Sequence, residues 1–327
     1  MKDKSSTQST KPTNSTKPSN STKPMAAWIN GHFVEIAEAK VGFFDAGFQH
    51  GIGLFETMLA RNGAVLRIEE HLERLAKSAR ELRLFDPLRI EPLAEAVQMC
   101  LEHNELTDAR VRITLTAGDM GKPFVGANAA SERPPQPQPT VAVHVQPPTR
   151  YPNELFDNGV GVTIAQDRVN PHDQFAGHKT LMYWPRIAAL QRAGESGCAE
   201  ALWFSIGNHL ASGSVSSVFV VKNGRIRVPF ARGEEPEPSA DNGDSVERLS
   251  APVLPGCTRA AVILWAEGSG ISVDRAQIGI DEVVAADEIF LTNSSWGVMP
   301  VVRIATRQIG AGVPGPIARA MREKWLQ

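Results

Sequence analysis

The sequence predicts a mixed α/β protein with two domains, and three features of the chain lead to this prediction. Segments with the 3.6-residue apolar period of helices alternate along the chain with short segments of strand-like alternation. The 327 residues, 42% of them hydrophobic, suffice for one large or two medium domains. A stretch rich in Gly, Pro, Ala, Asn and Gln at residues 119–138, which runs into RPPQPQP, is typical of a loop followed by an inter-domain linker.

The first 24 residues repeat the unit TKP between serines and asparagines. Such a segment has almost nothing apolar to bury, so it cannot offset the entropy lost on ordering. We therefore predict a disordered tail over residues 1–24, a small N-terminal domain over 25–145 and a large C-terminal domain over 146–327. Within the large domain, the acidic, proline-containing residues 231–250 are predicted to form a flexible insertion.

In the small domain, Asn62 and Gly63 separate two short apolar runs, and this pair favours the tight turn of a β-hairpin. Leu72, Leu75 and Ala79 recur at helical spacing, which predicts a helix around them. Folded sequence is expected to begin at AAWINGHFVE. The elements predicted after it are a hairpin of GLFETMLA and AVLRI, helices in EEHLERLAKSARELRL and EPLAEAVQMCLEH, and strands in ARVRITLTAG and TVAVHV.

In the large domain, a helix is predicted in WPRIAALQRAG, where Pro185 falls in the first turn and is tolerated there. A second helix is predicted to open after LPGCTR and to run through AAVILWAEG. The strands predicted here are GVTIAQ, EALWFS, SSVFVVKNG and RIRVP, followed by a strand, a turn and a strand in ADEIFLTNSSWGVMPVV.

Charge and cysteine usage exclude several classes of protein. A net charge of −2 gives no whole-chain attraction to nucleic acid or to an anionic membrane. No apolar run reaches the roughly 18 residues of a membrane span, and the N-terminus lacks a hydrophobic signal core. Cys100, Cys198 and Cys257 are too widely spaced for a disulfide framework or a CxxC metal site. We therefore expect a cytoplasmic protein without a metal site that binds neither nucleic acid nor membrane.

Common enzyme motifs are absent from the chain. It contains no GxGxxG, no GxxxxGK[ST], no HExxH, and no GxSxG in a strand-turn-helix frame. Lys179, in FAGHKTLMYWPR, lies between small or polar residues and an apolar, helix-like run, which is a poor place for a purely solvating charge. Taken alone, this local sequence still favours an exposed lysine at the start of a helix.

Six blocks in order give the chain a resemblance that covers it from about Trp28 to the last helix. It resembles the fold-type IV enzymes that use pyridoxal 5'-phosphate, which include branched-chain aminotransferases, D-amino acid aminotransferases and aminodeoxychorismate lyases. The resemblance implies a two-domain fold with the cofactor in the inter-domain cleft, and a homodimer. The blocks are WINGHFV, DAGFQHGIGLFET, EEHLERLAKSA, GHKTLMYW, LPGCTRAAVI and ADEIFLTNSSWGVMPV.

The resemblance also implies roles for individual residues. Lys179 matches the catalytic lysine that holds the cofactor as a Schiff base and then shuttles a proton. Arg74 matches the phosphate-binding arginine, and Tyr183 matches the tyrosine that bonds the phenolate oxygen of the cofactor. Ser294 matches another phosphate-contacting position.

Other candidates come from the residues themselves. Gly256, Cys257 and Thr258 lie at the start of a predicted helix, where backbone N–H groups form an anion site, and a helix N-cap without a ligand is the competing interpretation. Phe48, Arg110 and Arg112 are candidates for binding the substrate, and for the two arginines a solvent-facing place on a strand is the more common alternative.

One block departs from the family pattern. Where the family usually has a glutamate that keeps the ring nitrogen of the cofactor protonated, LASGSVSSVF has Ser212, and Ser217 replaces a frequent asparagine. Ser212 is therefore expected to face that nitrogen. A hydroxyl can hydrogen-bond the nitrogen but stabilises a positive charge on it less well, so we expect a largely unprotonated ring and weaker carbanion stabilisation.

The resemblance leaves three functions open. The first is an aminotransferase that moves an amino group between a branched-chain-like amino acid and a 2-oxo acid. The second is an aminodeoxychorismate lyase that releases pyruvate to give 4-aminobenzoate, which TNSSWGVMPV and LFET favour. The third is a catalytically impaired binding protein, which the missing glutamate favours. TAGDMGKPF lacks the Arg and His of the D-specific enzymes, and this argues against a D-amino acid aminotransferase.

Overall fold

A computed structural model of the protein describes residues 24–119, 138–235 and 249–327. The predicted tail, nearly all of the predicted linker at 119–138 and most of the predicted insertion at 231–250 lie outside these ranges and stay predictions. The described part of the chain is mixed α/β, with helices packed on two separate β-sheets, which confirms the predicted fold class.

Strands and helices alternate through the described ranges. The strands are β1 (Ala26–Ile29), β2 (His32–Glu35), β3 (Gly53–Arg61), β4 (Ala64–Val65), β5 (Ala109–Thr116), β6 (Thr140–Gln146), β7 (Val160–Val169), β8 (Glu200–Ser205), β9 (Leu210–Gly213), β10 (Ser217–Lys222), β11 (Arg225–Pro229), β12 (Val273–Ala276), β13 (Glu288–Asn293), β14 (Gly297–Ile304) and β15 (Arg307–Gln308). The helices are α1 (Ala46–His50), α2 (Ile68–Glu81), α3 (Glu91–His103), α4 (Glu154–Asp157), α5 (Trp184–Glu195), α6 (Cys257–Gly268), α7 (Ile280–Val284) and α8 (Pro316–Leu326).

Several predicted boundaries were wrong, including the end of β4 at Val65, the end of α2 at Glu81 and the start of α6. α6 begins at Cys257, whereas the sequence predicted it to open after Arg259. Gly256 has an extended backbone that ends the preceding loop, with φ −69° and ψ 130°. Arg259 lies inside the helix, and its buried guanidinium pairs with Glu234 at 2.7 Å. A sequence pattern does not display a charged residue that is buried by such a distant contact.

The first sheet is antiparallel throughout, in the order β2-β1-β6-β5-β3-β4. The predicted turn at Asn62 and Gly63 joins β3 to β4, and both residues have the positive φ that such a turn requires. Buried side chains of β3 and β5 pack with those of α2 and α3 in one core. Because side chains alternate along a strand, this core leaves Arg110 and Arg112 on the opposite face of β5.

The second sheet has nine strands, in the order β12-β11-β10-β13-β14-β7-β8-β9, with β15 paired to β14. β7 runs parallel to both of its neighbours, and β11 runs parallel to β12. One face of the sheet packs against α6 and α8 around Phe219 and Phe290, whose rings stack 4.7 Å apart. The other face forms a separate core around Leu202 and Leu291.

A short segment before α5 joins the two sheets. The amide of Phe55 donates to the carbonyl of Lys179 at 3.0 Å, and the amide of Leu181 donates to the carbonyl of Gly53 at 3.0 Å. Leu54 and Thr180 form a β-bridge between these bonds. The segment therefore pairs with the start of β3 and leads directly into α5.

None of the eight helices in the described residues is long and apolar enough to cross a membrane. Those residues also contain no group of three or more His, Cys, Asp or Glu side chains that could hold a metal ion.

Candidate active site

A cavity of about 560 Å³ opens between the two sheets. The first sheet contributes the outward face of β3 and β5, including Phe55 and Arg112. The second sheet contributes the turn after β9, the turn after β13 and the start of α6. All predicted site residues except Phe48 lie on the wall of this cavity. Phe48 is 67% exposed on α1 and packs near Phe43, so the structure does not bring it to the cavity.

Lys179 enters the cavity from the segment that joins the sheets. Its Nζ lies 4.2 Å from the centre of the Phe55 ring and 5.6 Å from the centre of the Tyr183 ring. The carbonyl of Lys179 and the β-bridge at Thr180 tie this segment to β3, which fixes the backbone from which the side chain extends. The amine is therefore held against the rings of Phe55 and Tyr183, which form an aromatic floor of the cavity.

The surroundings of Lys179 favour a neutral amine. Burial lowers the pKa of Lys179 to about 8, and the charges of Arg74, Arg112 and Arg186 contribute to that lowering, while Glu56 opposes it. Because only a deprotonated amine is a nucleophile, this environment makes Lys179 the strongest nucleophile candidate among the residues that line the cavity.

Arg74 is fixed by a buried carboxylate that sequence reasoning missed. Its Nε and Nη2 donate to the two oxygens of Glu56 at 2.8 and 2.6 Å, and its Nη1 donates to the carbonyl of Pro255 at 2.8 Å. The Nδ1 of His71 lies 2.7 Å from Glu56 on the other side. This arrangement makes a Glu56–His71–Arg74 network in which one carboxylate faces two basic groups.

Burial alone would raise the pKa of Glu56, but Arg74 and His71 outweigh it and hold that pKa at about 2. Burial opposes the charge on His71, yet bonds to Cys257 and Glu56 raise its pKa overall. The network therefore presents positive charge towards the cavity. Two features of the sequence could have identified these residues. Glu56 is a carboxylate within an otherwise apolar predicted strand, and His71 lies three residues before Arg74, on the same side of a predicted helix.

The N-terminus of α6 forms an anion cradle beside Arg74. The hydroxyls of Thr258 and Ser294 lie 3.3 Å apart, and Ser294 is 3.2 Å from the Nε2 of His71. The first amides of α6 have no helical acceptor, so they and the helix dipole favour an anion. A Cβ at Gly256 would lie 2.8 Å from the Oγ of Ser217, so glycine leaves the floor of this cradle clear.

The opposite end of the cavity departs from expectation. Ser212 is buried on β9, but its hydroxyl accepts a hydrogen bond from Nη1 of Arg186 at 2.9 Å. The same Nη1 donates to the carbonyl of Gly213 at 2.8 Å. The expectation that Ser212 faces a ring nitrogen stays a prediction, and the sequence did not predict that Arg186 would bond to Ser212. Arg186 lies on α5, 26 residues before Ser212, and no sequence pattern links the two.

Tyr183 and Glu200 fix the turn that follows β9. The Tyr183 hydroxyl donates to the carbonyl of Ser214 at 3.1 Å. The fully buried Glu200 accepts from the amides of Ser214 and Val215, and from the hydroxyl of Ser216. Burial raises the pKa of Glu200, against these bonds. The predicted bond from Tyr183 to a phenolate oxygen stays a prediction.

Arg110 and Arg112 line the same cavity from β5. The Cζ of Arg112 is 4.0 Å from the centre of the Phe55 ring, and its Nε donates to the hydroxyl of Thr114 at 3.3 Å. Burial lowers the pKa of Arg112, and the neighbouring charge of Arg110 lowers it further. No acidic residue of the described chain lines the cavity, whereas six Arg and Lys side chains do: Arg74, Arg110, Arg112, Lys179, Arg186 and Arg259.

These residues fit a cofactor that carries a carbonyl and a phosphate. Lys179 offers an amine with a lowered pKa. The cradle at Gly256, Thr258 and Ser294 offers amides, hydroxyls and an open floor for an anion. The wall at Arg186 differs from what a carboxylate-paired ring nitrogen would require, because it presents a cation there.

Comparisons with known proteins agree with this geometry. The family model described as amino-transferase class IV matches residues 53–304. The putative branched-chain-amino-acid aminotransferase of Methanocaldococcus jannaschii is 29% identical over 302 residues, which cover 92% of this chain and 95% of that protein. The D-alanine aminotransferase of Staphylococcus haemolyticus is 25% identical over 296 residues, which cover 90% of this chain and 95% of that protein.

A solved structure extends the likeness to the whole fold. The T.th. branched-chain amino acid aminotransferase with pyridoxamine 5'-phosphate superposes with a TM-score of 0.78. It is 27% identical, and the match covers 93% of each chain.

Proposed function

The chain belongs to the class IV aminotransferase family, and from this premise we propose that it moves an amino group between a branched-chain-like amino acid and a 2-oxo acid. The observation that carries the proposal is the position of Lys179. Its amine has a pKa lowered to about 8 and lies in the same cavity as the anion cradle at the start of α6. An amine and a phosphate site in one cavity are what a phosphorylated carbonyl cofactor needs.

The cofactor we propose is pyridoxal 5'-phosphate, and the T.th. relative contains its amino form. When bound, it supplies an aldehyde that bonds to amines and a ring that takes up electrons from bonds broken beside it. The cradle of Gly256, Cys257, Thr258 and Ser294 would hold the phosphate through backbone amides and hydroxyls, and Arg74 would add its charge. Tyr183 would hold the phenolate oxygen.

Lys179 would act first as the nucleophile and then as the base that moves a proton at Nζ. With a pKa of about 8, about a tenth of the amine is neutral at pH 7. An ordinary lysine, with a pKa of 10.5, would be almost wholly charged at that pH. The aromatic floor of Phe55 and Tyr183 would keep water from the amine while the proton moves.

The basic lining of the cavity supports an anionic substrate. Of the six Arg and Lys side chains on the wall, Arg74 is paired with Glu56 and Arg259 with Glu234. One phosphate does not balance the charge of the other four: Arg110, Arg112, Lys179 and Arg186. Arg110 and Arg112 have no ion-pair partner among the described residues, so they would bind substrate carboxylate. Every amino acid and 2-oxo acid carries at least one such group.

The same surplus of basic groups supports a second candidate, aminodeoxychorismate lyase, because its substrate carries two carboxylates. In that reaction the protein would release pyruvate without needing a 2-oxo acid as acceptor. Arg110 and Arg112 on one strand face could each bind one carboxylate of such a substrate.

The test is an absorption spectrum of the purified protein reconstituted with pyridoxal 5'-phosphate, with Lys179→Ala as the matched variant. Transamination predicts a visible cofactor band in wild type that converts to the pyridoxamine form with branched-chain amino acids and returns with a 2-oxo acid. Lys179→Ala should lack or alter that band and should lose roughly a thousandfold or more in turnover, because both nucleophile and proton carrier are gone. A wild type that binds no cofactor would contradict the proposal.

The lyase is separated by its product. Pyruvate released from aminodeoxychorismate in the absence of any 2-oxo acid, with no conversion by amino acids, would select the lyase. Release of no pyruvate, together with conversion by leucine or valine, would select the aminotransferase.

A further inference from the structure

Arg186 is placed where a cation is costly. It lies in the first turn of α5, at the positive end of the helix dipole, where a cation is disfavoured. Burial lowers the pKa of its guanidinium. Within the described ranges no carboxylate comes within 4.0 Å of the guanidinium as an ion-pair partner. A cation kept at such a position without a paired anion points to a ligand that it serves.

Two contacts hold the guanidinium of Arg186 in place. Its Nη1 donates to the hydroxyl of Ser212 at 2.9 Å and to the carbonyl of Gly213 at 2.8 Å. Its Cζ lies 4.9 Å from the centre of the Trp203 ring, and the indole of Trp203 donates to the hydroxyl of Ser214 at 3.0 Å. A guanidinium has five N–H groups, and Nε and Nη2 have no partner among the described residues. Those donors are available to a group in the cavity.

The charge of Glu200 raises the pKa of Arg186 against the effect of burial, but Glu200 forms no direct ion pair with Arg186 within 4.0 Å. Glu200 accepts from the amides of Ala201, Ser214 and Val215 and from the hydroxyl of Ser216. All of these bonds go to β8 and to the turn after β9 rather than to α5. The wall at Ser212 is therefore rich in donors and carries a guanidinium that has no direct ion-pair partner among the described residues.

We propose that Arg186 and Ser212 together face the ring nitrogen of the bound cofactor and keep that nitrogen unprotonated, as a hydrogen-bond acceptor. The inference rests on the proposed function, which fixes the carbonyl end of the cofactor at Lys179 and the phosphate at the start of α6. The ring nitrogen lies across a flat ring from the carbon that bears the aldehyde. With Tyr183 assigned to the phenolate oxygen, Arg186 supplies the unused N–H groups of this wall beside Ser212. The neighbouring hydroxyls of Ser214 and Ser216 are already bonded to Trp203 and Glu200.

The charge on Arg186 determines the protonation state. A guanidinium N–H matches the lone pair of an unprotonated nitrogen, whereas a protonated nitrogen would place like charges in contact. An unprotonated ring withdraws electrons less strongly, so bond breaking at the substrate's α-carbon depends more on the base at Lys179. Arg186 would thus set how fast, and at which bond, a bound substrate reacts.

The test measures the ring nitrogen directly. Protein reconstituted with cofactor labelled by ¹⁵N at the ring would be titrated from about pH 6 to about pH 9 by NMR, because the nitrogen shift separates the protonated form from the unprotonated one. Wild type and Arg186→Lys should both give the unprotonated shift throughout. Arg186→Met combined with Ser212→Glu should give the protonated shift at neutral pH, whereas Ser212→Glu alone should stay mainly unprotonated because Arg186 pairs with the new carboxylate.

Each other outcome overturns the assignment. A protonated nitrogen in wild type would show that Arg186 does not control it. Full protonation by Ser212→Glu alone would show that Arg186 does not face the nitrogen. Borohydride reduction followed by mass analysis of Lys179 separates this failure from a failure of the proposed function. Wild type that gains no cofactor mass at Lys179 would overturn both, while cofactor mass with a protonated ring would overturn this inference alone.

Discussion

Glu56 balances the charges of the candidate active site at the scale of single residues. It is 1% exposed, and it pairs with Arg74 through both oxygens and with His71 through one. Burying a carboxylate is costly unless it is paired, and here two basic groups pair it. The result is a fixed Arg74 beside the anion cradle.

We predict that Glu56→Gln destabilises the cofactor-free protein by about 3 kcal/mol at neutral pH, because it leaves Arg74 buried without its anion. The folded pKa of Glu56 is about 2 against an ordinary 4.5, so its contribution is present above pH 4.5 and is lost as pH falls towards 2. The cost of the substitution should therefore be smaller at about pH 3.5 than at about pH 7. Urea unfolding at the two pH values measures it.

Asp274→Asn provides the matched control for that measurement. Asp274 pairs with Arg225, but its side chain is 43% exposed, so removing its charge should change stability by less than about 1 kcal/mol. Equal costs for the two substitutions, or a cost of Glu56→Gln that does not change with pH, would contradict the role given to the network.

Lys179 gives a second prediction at this scale. Its folded pKa of about 8 lies below the ordinary 10.5, so its amine should react with acetic anhydride with a midpoint near pH 8. Unfolding in urea removes the surrounding charges and the burial, so the midpoint should return to near 10.5. Mass analysis of the peptide that contains Lys179 reads both values. An unshifted midpoint in the folded protein would remove the physical basis for a nucleophilic lysine.

Some residues of the candidate active site can be predicted from the sequence, and others cannot. Lys179 and Arg74 lie in recognisable blocks, and the structure places both on the cavity wall. Glu56 reaches Arg74 across 18 positions and Arg186 reaches Ser212 across 26, through contacts that only the folded chain creates. A sequence pattern shows the local hydrophobic period and the local composition. It does not show which distant side chains will form hydrogen bonds in the folded chain.

At the scale of elements, α6 determines whether an anion can bind. Its first turn supplies free amides, and the loop before it ends in an extended Gly256. A methyl group at Gly256 would lie 2.8 Å from Ser217 Oγ and 3.2 Å from Arg259 Cβ. The cradle therefore depends on the absence of one side chain.

We predict that Gly256→Ala weakens the binding of pyridoxal 5'-phosphate about fivefold, or about 1 kcal/mol, because the Ser217 hydroxyl must turn out of the cradle. Gly268→Ala, at the other end of the same helix, meets nothing within 4 Å and should leave the affinity unchanged. Fluorescence titration of the cofactor-free variants measures both. Equal affinities for the two variants would show that the floor of the cradle does not bind phosphate.

Long elements with a strong period are predicted well. α3 occupies the thirteen residues predicted for it, Glu91–His103, and α2 differs only at its ends. The short helices α1, α4 and α7 escape prediction because four or five residues carry too little period and gain their order from tertiary contacts. The start of α6 was misplaced for a related reason, since Arg259 is charged and yet buried.

At the scale of the whole molecule, the cavity exists because the segment around Lys179 pairs with β3 of one sheet and leads into α5 beside the other. The resemblance that the sequence blocks carry implies that two domains meet around a cofactor. The sequence does not display the β-bridge between Leu54 and Thr180, which sets how they meet. The domain boundary predicted at 145 falls at the end of β6 and stays a prediction.

An exposed apolar patch beside the cavity supports the proposed homodimer. The patch comprises Phe43, Phe44, Phe48, Met182 and Trp184. Their exposed fractions run from 49% for Met182 to 78% for Trp184. Phe43, Phe44 and Phe48 lie in or before α1, and Met182 and Trp184 lie at the start of α5 or just before it. A methyl group placed on Gly51, at the end of α1, would lie 3.3 Å from the Met182 side chain, so these two groups of residues are adjacent. Large contiguous apolar surfaces are typical of interfaces, and a second copy of this chain is the partner that we propose.

We predict that the wild-type protein sediments at twice its chain mass of 35.4 kDa, and that Trp184→Glu shifts it to the monomer, because a charge at the patch would have to be buried in the dimer. Leu264→Glu is the matched control, since Leu264 is 62% exposed on α6 and does not belong to the patch. It should remain dimeric. If wild type sediments as a monomer, or if both variants dissociate alike, the patch does not hold two copies together. If Trp184→Glu is monomeric and also loses cofactor binding, the site needs the second copy in order to close.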